Sequence, residues 1–252
     1  MKKTVLCVVD AAIYLIIFFL LQLVCTLLAV RICADGTVAT VSGMAASTVL
    51  TIAVFHFARF SPLGGTFIRT RPCSLLAWLA LLAAALIAPL QFVGEMIPAD
   101  MPSEMVETLS RFTTRPLGFL VIGILAPIAE EMVFRGAILR RLLSCVPNPW
   151  FAVAVSAALF GAVHGNVPQF VHAMLVGMLL GWLYWRTGSI LPGLVVHWVN
   201  NSLALLISAV VPGSVDATLP ELFGGNLPMM YSVIAVSTVI AALSLWQTAR
   251  KI

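Results

Sequence analysis

Charged residues are scarce in this 252-residue chain. Asp, Glu, Lys and Arg together make up only 10% of it, whereas apolar residues make up 61%. Soluble domains carry roughly 25% charged and 45–50% apolar residues. This composition excludes an ordinary soluble domain and predicts an integral membrane protein, with the lipid bilayer as its surroundings.

Several sequence patterns of known chemistry are also missing. The five cysteines form no C-x-x-C pair, so we expect them to pack, with neither a disulfide framework nor a thiolate metal site. The H-E-x-x-H helix of a typical zinc protease is absent. No G-x-S-G or G-x-G-D segment occurs either, which disfavours serine and aspartyl intramembrane protease mechanisms.

Long apolar segments are what the chain has instead, and a helix of about 20 such residues crosses a bilayer. The segments cover residues 8 to 30, 37 to 57, 73 to 94, 116 to 139, 149 to 165, 167 to 185, 190 to 211 and 227 to 247. They predict an all-α, polytopic transmembrane bundle of about eight spans. We expect one integral membrane domain over residues 1–252.

The loop charges predict how this bundle is oriented, because short cytoplasmic loops are enriched in Lys and Arg. With the N-terminus inside, ten of the 14 basic residues fall in inside positions: Lys2, Lys3, Arg59, Arg69, Arg71, Arg140, Arg141, Arg186, Arg250 and Lys251. The acidic loop residues fall outside: Asp35, Glu95, Asp100, Glu104, Glu107, Asp216 and Glu221. Both termini are therefore expected in the cytoplasm. Topology then explains the net charge of +4, and no nucleic-acid partner is expected.

One long external connection, residues 98 to 116, separates the third and fourth predicted spans. Its apolar residues Met105, Leu109 and Phe112 recur at helical spacing, with charged residues between them. We expect a short amphipathic helix on the outer surface.

The fourth predicted span carries three charges in the stretch A-E-E-M-V-F-R-G, residues 129 to 136. Glu131 and Arg135 are four residues apart, so they share one helix face and can neutralise each other. Glu130 is rotated away by about 100° and has no basic partner on its own helix. It is a candidate general base. The alternative is a purely structural cluster of all three charges with nearby Arg140 and Arg141.

Two later spans carry further polar side chains. His164 follows Phe160 by four residues near the outer end of the fifth span. His197 and Asn201 are also four apart, so both project from one face of the seventh span. Polar groups inside a membrane need one another, water or a metal. The isolated residues Asp10, His56 and His172 lack a motif and are expected to be structural. His172 is the least secure of the three, because it follows His164 by eight residues in the same region.

These three motifs, in this order, resemble those of the CAAX protease and bacteriocin-processing family of intramembrane proteases, also called the Abi family. They are E-E-x-x-x-R at Glu130, Glu131 and Arg135, F-x-x-x-H at Phe160 and His164, and H-x-x-x-N at His197 and Asn201. Each motif alone is weak, whereas their order, types and intervals together are specific. The resemblance covers residues 116–205, the expected catalytic core.

The resemblance implies a glutamate-dependent peptidase acting on a peptide or membrane-protein substrate. It implies that Glu130 and His164 hold and activate the attacking water. His197 and Asn201 would then stabilise the oxyanion, with Glu131 and Arg135 as a supporting ion pair beside Phe160. The family has been described both as metalloproteases and as metal-independent glutamate proteases. Glu130, His164 and His197 could ligate a zinc ion, so the metal, if any, stays unassigned.

Two other functions remain as alternatives. A non-catalytic membrane scaffold or immunity protein could retain the motifs without using them. A small proton-coupled transporter would also place Glu and His inside spans, although no internal repeat supports it. The charge sorting and small size suggest a prokaryotic plasma membrane protein, for which a prenylated substrate is not expected.

Overall fold

The computed structural model describes residues 2–64, 73–99, 101–113, 115–211 and 213–252, with backbone alone for residues 2–4. Arg69, Arg71 and Asp100, which entered the charge sorting, lie outside the described residues. Ten helices make up the described part of the chain. They are α1 (Lys2–Ile32), α2 (Gly36–Phe57), α3 (Ser74–Glu95), α4 (Ser103–Thr113), α5 (Pro116–Leu143), α6 (Pro149–Ala162), α7 (Val167–Thr187), α8 (Leu191–Val210), α9 (Leu219–Leu222) and α10 (Leu227–Lys251).

The predicted all-α polytopic bundle is confirmed. Within the described ranges, seven helices are long and apolar enough to cross a membrane: α1, α2, α3, α5, α7, α8 and α10. The eighth predicted span, 149 to 165, is the shorter α6 of 14 residues. At 1.5 Å per residue it is about 21 Å long, less than the roughly 30 Å of a hydrocarbon core. It therefore ends inside the depth of the bundle.

Helix boundaries follow from local chemistry at the polar breaks in the sequence. Asn148, Asn166 and Asn226 each accept a backbone N–H bond at the start of α6, α7 and α10. Such caps satisfy N–H groups that lack a partner in the first helical turn. Gly188 ends α7 with a positive φ of 65°, a conformation that glycine adopts without strain.

Helix α5 is the centre of the bundle. Its middle, Glu131–Leu139, is buried at every residue. Side chains from α1, α2, α6 and α7 surround it in the largest apolar cluster, which includes Phe18, Phe55, Phe160 and Tyr184. A second cluster joins α3 and α7 to α8. Helix α10 packs against α3 on the far side, away from α5.

The amphipathic helix expected on the outer surface is present as α4. Its exposed Glu107 and Arg111 form an ion pair, while Phe112 is buried against Val41 of α2 and Val121 of α5. Gly118 lies so close to the carbonyl oxygen of Phe112 that a β-carbon would not fit there. The helix is therefore docked on the bundle by its apolar face.

The expectation that the cysteines form no disulfide is wrong for two of them. Cys7 of α1 and Cys145, just after α5, are joined, with Cα atoms 6.6 Å apart. They are 138 residues apart in sequence, and only the packing of α1 on the end of α5 brings them together. Cys25, Cys33 and Cys73 are free.

Candidate active site

The site begins with an ion pair inside α5. Arg135 Nη1 donates to Glu131 Oε1 over 2.7 Å, and both side chains are essentially inaccessible. Arg135 Nη2 also donates to the backbone carbonyl of Gly177 in α7, over 3.3 Å. This is the pair that the four-residue spacing predicts. Its two charges compensate each other in a setting where a lone charge would be costly.

His197 of α8 lies between the two adjacent glutamates. Its Nδ1 is 3.2 Å from Glu131 Oε1, and its Nε2 is 3.5 Å from Glu130 Oε2. An ionised carboxylate can only accept a hydrogen bond, so Glu131 holds the ring with its Nδ1–H. Nε2 is then directed toward Glu130. The Glu130 side chain is 19% exposed and that of Glu131 is 0% exposed.

Phe160 of α6 is the packing centre of the site. Its ring meets His164 edge to face at 5.3 Å and His197 at 5.6 Å between ring centroids. The Arg135 guanidinium lies over the same ring, 4.4 Å from its centroid. One aromatic side chain thus fixes two imidazoles and a buried cation. The structure gives the phenylalanine of the F-x-x-x-H motif this physical role.

His164 lies beyond the end of its helix, not within it. Helix α6 stops at Ala162, and the next residues turn toward α7 through Gly165, which has a φ of 73°. His164 Nδ1 is bonded to the Phe160 carbonyl oxygen at 2.9 Å. Among the described residues no hydrogen bond joins it to Glu130, and a water held between the two stays a prediction.

Phe160 nevertheless brings His164 close to the glutamates. Its ring contacts the rings of both His164 and His197, and His197 lies beside Glu130. The short α6 and the turn after it therefore place His164 beside the site.

Asn201 binds the backbone of α5. Residues Val121–Leu125 form a π-helical turn, and Pro127 lacks the N–H that a helix interior normally supplies. Carbonyl groups in this turn accept bonds from α8. Asn201 Nδ2 donates to Ile122 O over 3.1 Å, and Trp198 Nε1 donates to Ile124 O over 2.8 Å. Asn201 is therefore a link between α5 and α8, with one of its two amide N–H groups engaged.

Gly193 lets α8 approach the buried ion pair. A β-carbon at this position would lie 2.8 Å from Glu131 Oε2, closer than real β-carbons come to other atoms. Glu131 is held by Arg135 and His197 and has little room to move. The sequence motifs do not include Gly193 or Trp198, because their importance depends on contacts between helices.

The three residues expected to be structural have separate surroundings. Asp10 forms an ion pair with Arg141 at 2.6 Å, and His56 Nδ1 accepts a bond from the Leu63 backbone N–H. His172 of α7 is close enough to His164 and His197 for their charges to interact. His172 therefore borders the site. Its separation of eight residues from His164 does not by itself predict this position.

The zinc set suggested by the sequence is not assembled. Among the residues that the structure describes, no three His, Cys, Asp or Glu side chains are grouped so that they could hold a metal ion. Glu130 and His197 are neighbours, whereas the Nδ1 of His164 is bonded to the Phe160 carbonyl. This donor set does not fit a three-ligand metal site.

The arrangement combines a neutralised, buried ion pair with an accessible carboxylate beside an imidazole. Such a set can move a proton and can donate a hydrogen bond to a developing negative charge. The fold and the site together define a multi-pass membrane protein with a polar centre inside its helix bundle.

Comparison with known proteins finds a family that is similar to one segment of the chain. Residues 112–203 match the family model described as "Type II CAAX prenyl endopeptidase Rce1-like". The matched segment contains all three motifs, from Glu130 to Asn201. The match supports the family predicted from the motifs, and over this segment the chain is similar to the CAAX protease and bacteriocin-processing family.

Two curated proteins of Bacillus subtilis (strain 168) are similar to the chain. "Uncharacterized protein YyaK" is 30% identical over 173 residues, which cover 64% of this chain and 58% of that protein. "Putative membrane peptidase YdiL" is 30% identical over 92 residues, which cover 36% of this chain and 37% of that protein. The chain therefore spans less than two thirds of either relative. No solved structure matches it.

Proposed function

We propose that this protein is an intramembrane peptidase that hydrolyses a peptide bond with a water molecule activated by Glu130. One observation carries the proposal: the chain of contacts from Arg135 through Glu131 and His197 to Glu130. The contacts give the two glutamates different tasks. The family of the matched segment and the name of YdiL support peptidase activity.

In this proposal Glu130 takes a proton from the attacking water and passes it to the amine that leaves when the peptide bond breaks. It is the more accessible of the two adjacent carboxylates and is not bound to Arg135. His164, in the turn after α6, orients the same water. General base catalysis by a positioned group of this kind contributes about 10²–10⁴-fold to a rate.

His197 and Asn201 stabilise the oxyanion that forms on the attacked carbonyl. Glu131 fixes the His197 ring through Nδ1, so Nε2, which lies beside Glu130, donates to the oxyanion when the imidazole carries a second proton. Asn201 donates one amide N–H to Ile122 O and has a second one. Loss of a single oxyanion donor typically costs about 10²–10³-fold in turnover.

The location of the site supports a class of substrate. The 28-residue span that carries Glu130 has the glutamate near its middle. A segment reaching it must enter the bundle from the membrane or from its surface. We propose a peptide or membrane protein as substrate, and a prokaryotic plasma membrane as the location.

The test compares newly formed peptide termini in membranes and medium of cells that carry wild type, Glu130→Ala or Glu104→Ala. Glu104 lies on the exposed surface of α4 and is the matched control. We expect a set of peptide termini that appears in cells with wild type or Glu104→Ala and is missing in cells with Glu130→Ala. Identical termini in all three strains would refute the proposal and favour a scaffold or immunity protein.

The dependence of activity on a metal ion is tested separately with purified protein. Activity is measured after metal removal by a chelator, with the metal content of the same sample determined. The contacts around Glu130 support water activation by the protein's own groups, so we expect activity in metal-free protein. If activity is lost on metal removal and only added zinc restores it, a metal activates the water instead.

A further inference from the structure

A cavity of about 360 Å³ lies away from the site, between α1 and the end of α5. Its lining residues are Asp10, Tyr14, Ala137, Arg140, Arg141 and Ser144. Helix α5 ends at Leu143, and Arg140, Arg141 and Ser144 lie in its last turn or just after it. The end of a spanning helix is where lipid headgroups are expected.

Two adjacent arginines are held in place at this cavity. Arg141 Nε donates to Asp10 Oδ2 over 2.6 Å, and Arg140 Nη2 donates to the backbone carbonyl of Phe60 over 2.6 Å. The Arg141 and Asp10 side chains are 36% and 33% exposed, so the charged wall can be reached from outside. Guanidinium groups fixed in this way match the geometry of phosphate oxygens.

The charge of the lining selects for an anion. Arg140 and Arg141 contribute two positive charges and Asp10 contributes one negative charge, which leaves one net positive charge. A phosphodiester carries one negative charge. Tyr14 adds a hydroxyl group to the same wall, whereas the Ser144 hydroxyl donates to the Arg141 carbonyl. An anionic headgroup is favoured over a zwitterionic one, whose own cation would meet the arginines.

We propose that this cavity binds the phosphodiester of an anionic phospholipid, in contact with Arg140 and Arg141. Basic pockets between membrane helices are known to hold anionic headgroups. The bound lipid joins α1 to the end of α5, the helix that carries Glu130. The Cys7–Cys145 pair connects the same two elements. Lipid binding at this cavity does not depend on the proposed peptidase activity.

The test uses the full chain purified in a neutral detergent. Phosphatidylglycerol, phosphatidylcholine and inorganic phosphate are titrated separately, and bound lipid is counted by native mass spectrometry alongside the unfolding temperature. We expect phosphatidylglycerol to bind and to raise the unfolding temperature, with little effect of phosphatidylcholine. Stabilisation by inorganic phosphate without any by phosphatidylglycerol would overturn the lipid assignment.

Three variants separate the cavity from general membrane electrostatics. Arg141→Gln should weaken phosphatidylglycerol binding about tenfold, because one charge-assisted contact is lost. Arg186→Gln changes an exposed arginine at the end of α7, outside the cavity, and should bind as wild type does. Equal weakening in both would overturn the proposal.

Asp10→Asn distinguishes lipid binding from damage to the Asp10–Arg141 ion pair. The substitution breaks that pair but raises the net charge of the lining to two, so binding of phosphatidylglycerol should be kept or strengthened. If Asp10→Asn weakens binding as much as Arg141→Gln does, the ion pair matters rather than the positive charge, and the proposal fails.

Discussion

Two neighbouring glutamates in the same helix have opposite surroundings. Glu131 is fully buried and bound by Arg135 and His197, whereas Glu130 is partly accessible and contacts His197 at 3.5 Å. The difference arises because adjacent helical residues point about 100° apart. The helix thus presents one carboxylate to the core and one to the site.

Removal of one partner from the buried ion pair should be more harmful than removal of both. Arg135→Met leaves Glu131 charged and buried, and we expect the free energy of unfolding to fall by about 3–5 kcal/mol. The double variant Glu131→Gln, Arg135→Met should recover part of this loss. Unfolding in mixed micelles compares both variants with wild type. A double variant less stable than Arg135→Met would contradict the pairing.

Gly193 should not tolerate even one added methyl group. Gly193→Ala would place a β-carbon 2.8 Å from Glu131 Oε2, and overpacking of this kind costs about 1–3 kcal/mol. We expect lower stability together with slower cleavage, because Glu131 holds His197. Gly94→Ala in α3 is the matched control, since no atom lies within 4 Å of its added carbon. Equal effects of the two substitutions would show that the close approach is unimportant.

At the scale of the element, α5 is a helix with two irregular segments. π-Helical turns at Val121–Leu125 and Glu131–Leu139 flank the short regular segment Ala126–Glu130. Such turns release backbone carbonyl groups and occur often at functional sites. Here side chains of α8 bind the released groups. The result is a fixed distance between the helix of the glutamates and the helix of His197.

Trp198 and Asn201 allow the structural and catalytic roles of this link to be separated. Trp198→Phe removes only the bond to Ile124 O, and we expect a loss of about 1 kcal/mol in unfolding free energy with modest loss of cleavage. Asn201→Ala should lose a similar unfolding free energy, but its turnover should fall about 10²–10³-fold, because the substitution also removes an oxyanion donor. Equal turnover in the two variants would restrict Asn201 to the structural link.

Sequence reasoning found the elements and local pairs but not the contacts between helices. The spacing of Glu131 and Arg135 predicts their pair, because i and i+4 positions meet on any helix. The contact of His197 with Glu131 joins residues 66 apart and depends on how α5 packs on α8. The π-helical turns and the Cys7–Cys145 pair were missed for the same reason, and α6 is shorter than its apolar run suggests.

At the scale of the whole molecule, the bundle places a polar centre in an apolar body. Seven described helices can cross a membrane, and α5 lies among α1, α2, α6, α7 and α8. Short α6 ends beside the site, and polar groups from α5, α8 and the turn after α6 meet within the fold. The cytoplasmic position of both termini stays a prediction from loop charges.

That orientation can be measured on intact cells. Cysteine-free protein carrying a single cysteine at Glu104 of α4 or at Arg186 after α7 is treated with a membrane-impermeant thiol reagent. The loop charges predict labelling at position 104 from outside and at position 186 only after the membrane is opened. The reverse pattern would invert the topology.

The most direct test of the central claim compares Glu130→Gln with Glu131→Gln. A peptide identified by the terminus comparison is the substrate, and purified variants are measured for both cleavage and unfolding. The account predicts that Glu130→Gln unfolds as wild type does but cleaves about 10²–10⁴-fold more slowly, while Glu131→Gln loses about 3–5 kcal/mol of stability. Cleavage at the wild-type rate by folded Glu130→Gln would contradict the account.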